Sequence, residues 1–168
     1  MDDALLAAFN DQIALEQQSA RAYRQLAIWA EARDLSGMAE WFNQQADEET
    51  EHADLFIAYV LDRDGEVVLQ PLDAPASVFT DAVAAFDSAL AHEEKVTAAI
   101  GQLYGQVTAA GDYRSIPLLT RFLDEQVHEE AAVRTIVGEL RMTGGDPTAV
   151  LMLDRELPGR RGQAGEGN

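Results

Sequence analysis

Long stretches in which apolar residues recur every three or four positions alternate along this chain with short stretches rich in Gly, Pro and Asp. That recurrence is the spacing at which side chains fall on one face of an α-helix. Neither proline nor glycine occurs at positions 2–36 or 38–64; they gather at Gly65, Pro71 and Pro75, at Gly111, at Gly144, Gly145 and Pro147, and from Pro158 onward. The punctuation predicts four long helices over about 3–33, 36–63, 77–110 and 112–143, with Gly101, Gly105, Pro117 and Gly138 as minor interruptions. Asp146 followed by Pro147 is a helix start, an acceptor for free backbone N–H groups with proline at the first helical position, so Thr148–Leu157 should form a short fifth helix. Residues 1–157 are expected to form one domain and 158–168 (PGRRGQAGEGN) a disordered tail.

The first two helices are joined by a few residues, as are the third and fourth, which makes each pair antiparallel. The second and third are separated by about a dozen residues, which at full extension reach about 40 Å, the length of the second helix. The link can therefore run the length of the bundle. The expected fold class is all-α: a four-helix bundle with one long crossover and a short fifth C-terminal helix.

The seam that each helix turns to the bundle axis is apolar except at its centre. The first runs Leu6, Phe9, Ile13, Glu16, Ala20, Tyr23, Ala27, Ala30, and the second Met38, Phe42, Gln45, Glu49, His52, Phe56, Tyr59. The third runs Phe79, Val83, Phe86, Leu90, Glu93, Thr97, Ile100, Tyr104, Val107, and the fourth Leu119, Phe122, Gln126, Glu129, Val133, Ile136, Leu140. Each break lies near mid-helix, and mid-helix positions meet in an up-and-down bundle. Glu16, Glu49, Glu93 and Glu129, with His52 and Gln126, should thus converge in the core, where an ionised acid without a partner costs several kcal/mol. No Lys or Arg interrupts these seams. The acids must be held protonated or have cations between them. Four carboxylates and one imidazole, without sulfur, suit a pair of iron or manganese ions better than zinc or copper, and a di-iron centre is the expected reading.

Composition narrows the alternatives. Thirty Asp and Glu against twelve Lys and Arg leave a formal charge of −18 over 168 residues, which repels nucleic-acid phosphates and favours cations. The absence of Cys removes disulfide frameworks, thiolate chemistry, zinc knuckles and iron–sulfur clusters. The start MDDALLAAFN is acidic where a secretory signal is basic, and no run of about 18 apolar residues occurs. A soluble cytoplasmic protein with no nucleic-acid or membrane partner is expected.

Taken in order, Glu16 with Tyr23 seven residues on, EETEH from Glu48 to His52, His92 with Glu93, and EQVHEE from Glu125 to Glu130 resemble the bacterial non-haem ferritins over nearly the whole chain. The resemblance implies iron storage with ferroxidase activity: Fe(II) is oxidised by O2 or H2O2 and stored as a ferric mineral inside a homo-oligomeric 24-subunit shell whose fourfold axis is lined by the fifth helix. It implies two irons per subunit, Glu16, Glu49 and His52 holding the first and Glu49 (bridging), Glu93 and Glu129 the second, with Gln126 beside it and Tyr23 hydrogen-bonded behind. A third iron position in the family is matched by Glu48 and Glu125, but His128 stands where a glutamate is usual. The haem-binding cousins carry a methionine in the second-helix motif and a second ExxH on the fourth helix; Thr50, Glu51 and the Gln126–Glu129 pair depart from both, so no haem is expected.

Other residues carry less. His92 points off its seam and reads as an exposed or indirect neighbour of the centre, while His128 reads equally as ligand or surface group. Tyr23 is also an ordinary core residue. Trp29 and Trp41 fall outside the seams and are expected to be buried between subunits. Two alternative functions use the same bundle: a di-iron oxidase or peroxidase acting on another substrate, and a shell that buffers metal without oxidising it.

Overall fold

A computed structural model describes residues 1–160. The expected all-α bundle is present: α1 (Asp3–Glu31), α2 (Ser36–Asp62), α3 (Ala82–Ala109), α4 (Ile116–Met142) and α5 (Pro147–Glu156), closed by a 3-10 turn at Leu157–Gly159. Three helices begin on an aspartate whose carboxylate accepts a free N–H of the first turn: Asp2 from Leu5 at 2.8 Å, Asp81 from Ala84 at 2.9 Å and Asp146 from Ala149 at 2.9 Å.

Helix α2 has no side-chain cap of its own. The buried Asp154 of α5 supplies one, accepting from the Met38 backbone N–H at 2.8 Å across the end of the bundle. The approach is possible because residue 37 is glycine: a Cβ there would lie 1.7 Å from the Asp154 carbonyl oxygen.

Contacts along α1 reveal the path of the crossover. Asn10 holds Glu66 O (3.1 Å) and Val68 N (2.7 Å), Gln70 donates to Asp11 (2.7 Å), Gln18 donates to Asp73 O (3.1 Å), and Trp29 Nε1 donates to Phe79 O (3.3 Å). Both partners advance together, so the segment climbs α1 from its first turns to its last and delivers α3 at the end where α2 begins. Helix α3 is consequently parallel to α2, as the length of the link predicts.

Two helices start later than the sequence suggests. Residues 77–81 belong to the crossover, pinned through Phe79 and ending on the Asp81 cap, and α4 starts at Ile116 because Pro117 fits the first helical turn rather than its interior. The region assigned to the tail also begins in ordered structure. Pro158 and Gly159 lie in the 3-10 turn and Arg160 pairs with Glu139 and Glu156; positions 161–168 lie outside the described residues.

The core is divided. One apolar cluster contains Leu26, Trp41, Phe42, Phe86, Ile136 and Leu140, and the other Phe9, Ile13, Phe56, Ile100, Leu119 and Phe122. Between them lies a buried polar layer of Gln12, Glu16, Ser19, Gln45, Glu49, His52, Glu93 and Gln126. Trp29 and Trp41, expected between subunits, are instead buried within the chain, 4% and 3% exposed. The crossover covers Trp29, whose ring meets Phe79 edge-on, and Trp41 packs against Tyr23, Phe42 and Phe86. The buried face of each helix is wider than a single seam. No described helix is long and apolar enough to cross a membrane.

Candidate metal centre

The polar layer receives Glu16 from α1, Glu49 and His52 from one turn of α2, Glu93 from α3, and Gln126 and Glu129 from one turn of α4. A carboxylate oxygen of Glu16, another of Glu49 and a ring nitrogen of His52 lie within 4.8 Å of one another, and Glu48, His52 and Glu125 form a second such triad. His52 joins the two. Its Nδ1 is 3.3 Å from Glu49 Oε2 and its Nε2 is 3.7 Å from Glu125 Oε1, while the Phe122 ring meets it edge-on at 5.2 Å.

Glu16 is fully buried. Gln12 donates to its Oε1 at 2.7 Å, but Oε2 is shielded from solvent without a hydrogen-bond partner. Glu125 Oε2 is shielded and unpartnered as well. Glu93, equally buried, accepts the Tyr23 hydroxyl on Oε1 and Gln126 Nε2 on Oε2 at 3.1 Å. Glu129 is half-buried and accepts from Gln45 Nε2 at 3.1 Å. Glu93 and Glu129 stand outside both triads and act on Glu49 through the field they share with it.

The electrostatics are those of four buried acids that share a single imidazole. Burial, then repulsion from Glu49, holds the Glu16 carboxyl well above the usual range. Burial also raises Glu49 against the opposing His52 contact, and raises Glu93 against the bonds from Tyr23 and Gln126. Burial, then repulsion from Glu93, pushes Glu129 up to about 7. Burial lowers the His52 imidazole, but contacts with Glu125 and Glu49 outweigh it and lift the group to about 10. Among the described residues, Arg24, Arg63, Arg134, Arg141 and Arg160 spend their ion pairs on other acids.

His92 is half-buried and bonds through Nε2 to Ser19 Oγ at 2.7 Å, beside the centre but in neither triad; burial, then Lys95, lowers it to about 4. His128 is exposed and lines a groove of about 850 Å³ between α2 and α4, together with Asp47, Glu48, Glu51, Glu125 and Glu129. Gln12 and Gln45 carry no expected role; Gln12 lies one helical turn before Glu16, the spacing at which an amide reaches a carboxylate, whereas Gln45 reaches Glu129 across from α2 to α4, which spacing does not reveal.

An all-α bundle whose core is cut by a carboxylate-rich layer fitted to cations is the class this geometry defines. A family model described as a ferritin-like domain matches residues 6–143. The bacterial non-heme ferritin of Staphylococcus aureus (strain MRSA252) is 34% identical over 153 residues, covering 91% of this chain and 92% of that protein. The protein of the same description from Staphylococcus saprophyticus is 32% identical over 160 residues, covering 95% and 96%. Among solved structures, an Archaeoglobus fulgidus ferritin engineered into a closed form matches with a TM-score of 0.92 and 34% identity over 94% of this chain and 96% of that one. The open-pore ferritin of the same archaeon matches equally well, over 94% and 97%. The chain belongs to the ferritin family.

Proposed function

We propose that the protein stores iron, oxidising Fe(II) in the polar layer and retaining the product as a ferric mineral within a 24-subunit shell of its own copies. The observation that carries this reading is the shielded, unbonded Glu16 Oε2, in a triad with Glu49 and His52 in which one imidazole faces two buried carboxyls. An acid in that setting is completed by a proton or a cation.

Fe(II) is the substrate. Glu16, Glu49 and His52 take the first ion; Glu49, shared, takes the second together with Glu93 and Glu129, with Gln126 alongside. Each ion displaces protons from acids that burial keeps protonated. Anionic oxygens favour the ferric over the ferrous state, and two adjacent ions can supply the two electrons that reduce O2 to peroxide or H2O2 to water. Tyr23 and Gln126 hold the Glu93 carboxylate from behind by donating to its two oxygens. Glu48 and Glu125, sharing His52, offer a third position on the way to the α2–α4 groove. Six acids against Arg121 and Arg160 in the lining of that groove favour a cationic substrate over an organic one. We place the reaction in the cytoplasm, without haem and with no nucleic-acid or membrane partner.

Aerobic addition of Fe(II) to metal-free protein tests this reading, following ferric absorbance and then size-exclusion with iron detection. Rapid oxidation, with iron co-eluting in a very large particle, is expected. Oxidation at the rate of buffer alone, or iron precipitating away from a small species, would overturn it.

A further inference from the structure

Behind Glu93 a line of side chains runs from the buried layer to the surface. Gln126 Nε2 lies 3.1 Å from Glu93 Oε2, 3.4 Å from the Glu93 carbonyl oxygen and 3.3 Å from Thr97 Oγ1. Three acceptors around one nitrogen fix the orientation of the amide, because a rotated Gln126 would turn its oxygen towards a carboxylate and a carbonyl. Thr97 Oγ1 donates its single proton to Glu130 Oε1 at 2.7 Å, which leaves its lone pairs to receive Gln126. The other oxygen of Glu130 is held by Arg134 Nη2 at 3.0 Å. The direction of the chain is therefore determined at every link: Gln126 donates to Thr97, and Thr97 to an anion anchored by a guanidinium.

The spacing is regular. Thr97 lies one turn after Glu93 on α3, and Glu130 one turn after Gln126 on α4, so two i, i+4 pairs stack across the α3–α4 contact. We infer that Thr97 and Glu130 are positioning residues for the second Fe(II): acting through the Gln126 amide, they hold the Glu93 carboxylate in the orientation that takes the ion. The inference rests on the proposed function, in which Glu93 serves the second Fe(II) and not the first. Neither residue touches the ion. Without the relay, Gln126 can rotate and Glu93 loses one of its two restraints, while Glu16, Glu49 and His52 keep their own geometry.

Anaerobic calorimetric titration of Fe(II) into the metal-free full-length protein separates the two binding events. For the wild type, two ions per chain are expected in the four-carboxylate layer, with any third at Glu48 and Glu125 unaffected by the variants below. Thr97→Val preserves shape and removes the hydroxyl; it should weaken one event about tenfold and leave the other within about twofold, and Thr97→Ser should restore the weakened event. Glu130→Leu should affect the same event, and Thr97→Val/Glu130→Leu should be no weaker than Thr97→Val alone, because both substitutions cut one relay. Unchanged binding in Thr97→Val, equal weakening of both events, failure of serine to rescue, or additive losses in the double variant would each overturn the relay. A wild type that takes fewer than two ions would remove the proposed function and the inference together, whereas a normal wild type with an unaffected Thr97→Val removes the inference alone.

Discussion

Glu16 and Glu93 are the same residue type in the same layer, both fully buried, yet their surroundings differ. Glu93 has a donor on each oxygen, and Gln126, one of those donors, is itself braced by Thr97. Glu16 has a donor on one oxygen only; the other is shielded and bare, and its carboxyl shares a triad with Glu49 and His52. One half of the layer is internally satisfied and the other is left incomplete. A buried acceptor with no donor costs about 1–3 kcal/mol, so the incomplete half carries the stronger demand for a cation, while the satisfied half is shaped in advance to receive one.

Glu49 is the residue common to both halves in the proposed site, and its loss should erase the distinction between them. Glu49→Ala is expected to lower the initial rate of Fe(II) oxidation about 100-fold or more, measured by stopped-flow ferric absorbance. Glu93→Ala should instead leave tight binding of a single Fe(II) measurable by calorimetry, since the Glu16 half stays intact. If Glu49→Ala oxidises at the wild-type rate, no carboxylate is shared, and the two halves act separately.

The architecture could be read from the sequence because each feature rested on spacing. The four seams, their interruptions at a common height and the length of the crossover define the bundle and the composition of its polar layer without tertiary information. Features resting on contacts between distant segments could not be read. Asp154 caps α2 from the far end of the chain, and the pinning of Phe79 by Trp29 sets back the start of α3. A narrow seam leaves the tryptophans outside and points them to subunit contacts, because it understates how much of each helix this bundle buries. Gln12, Gln45 and the Thr97–Glu130 pair are polar residues whose function lies in which atom they face, and periodicity carries no information on that.

Protons offer a second way to separate the halves. Glu129 titrates near 7 in the fold against an ordinary value of 4.5, so the unfolded chain releases this proton first. Between pH 4.5 and 7 the folded state holds more protons than the unfolded state, and the metal-free protein should lose stability as pH rises through that window. His52 contributes in the same sense over a higher window: raised from 6.5 to about 10, it stabilises fully below 6.5 and loses that contribution as pH climbs to 10, leaving the slope below 6.5 to the acids. Fe(II) replaces the same protons. Its apparent affinity should therefore rise between pH 6 and 7, about tenfold for each proton displaced, with proton release visible by calorimetry in buffers of different ionisation enthalpy. Affinity independent of pH would mean that the acids are already ionised and compensated in the metal-free state.

The smallest effect is also the most direct comparison, because one chemical change is made in each half. In Glu16→Gln the amide oxygen can keep the bond from Gln12, while the new N–H2 turns towards Glu49 and supplies a donor there without adding an ionisable group to the layer. Metal-free Glu16→Gln should be more stable than wild type by about 1 kcal/mol. In Glu93→Gln the amide oxygen can keep the bond from Gln126, while the new N–H2 faces the Tyr23 hydroxyl, which must then accept and leaves its own buried O–H without the carboxylate; a decrease of about 1–2 kcal/mol is expected. Each kcal/mol corresponds to about 2–4 °C in the melting temperature of a chain of this size, so thermal unfolding of the two metal-free variants resolves the sign. Shifts in the same direction would mean that Glu16 is as fully supported as Glu93, and that the demand for a cation is spread evenly over the layer rather than concentrated at its Glu16 side.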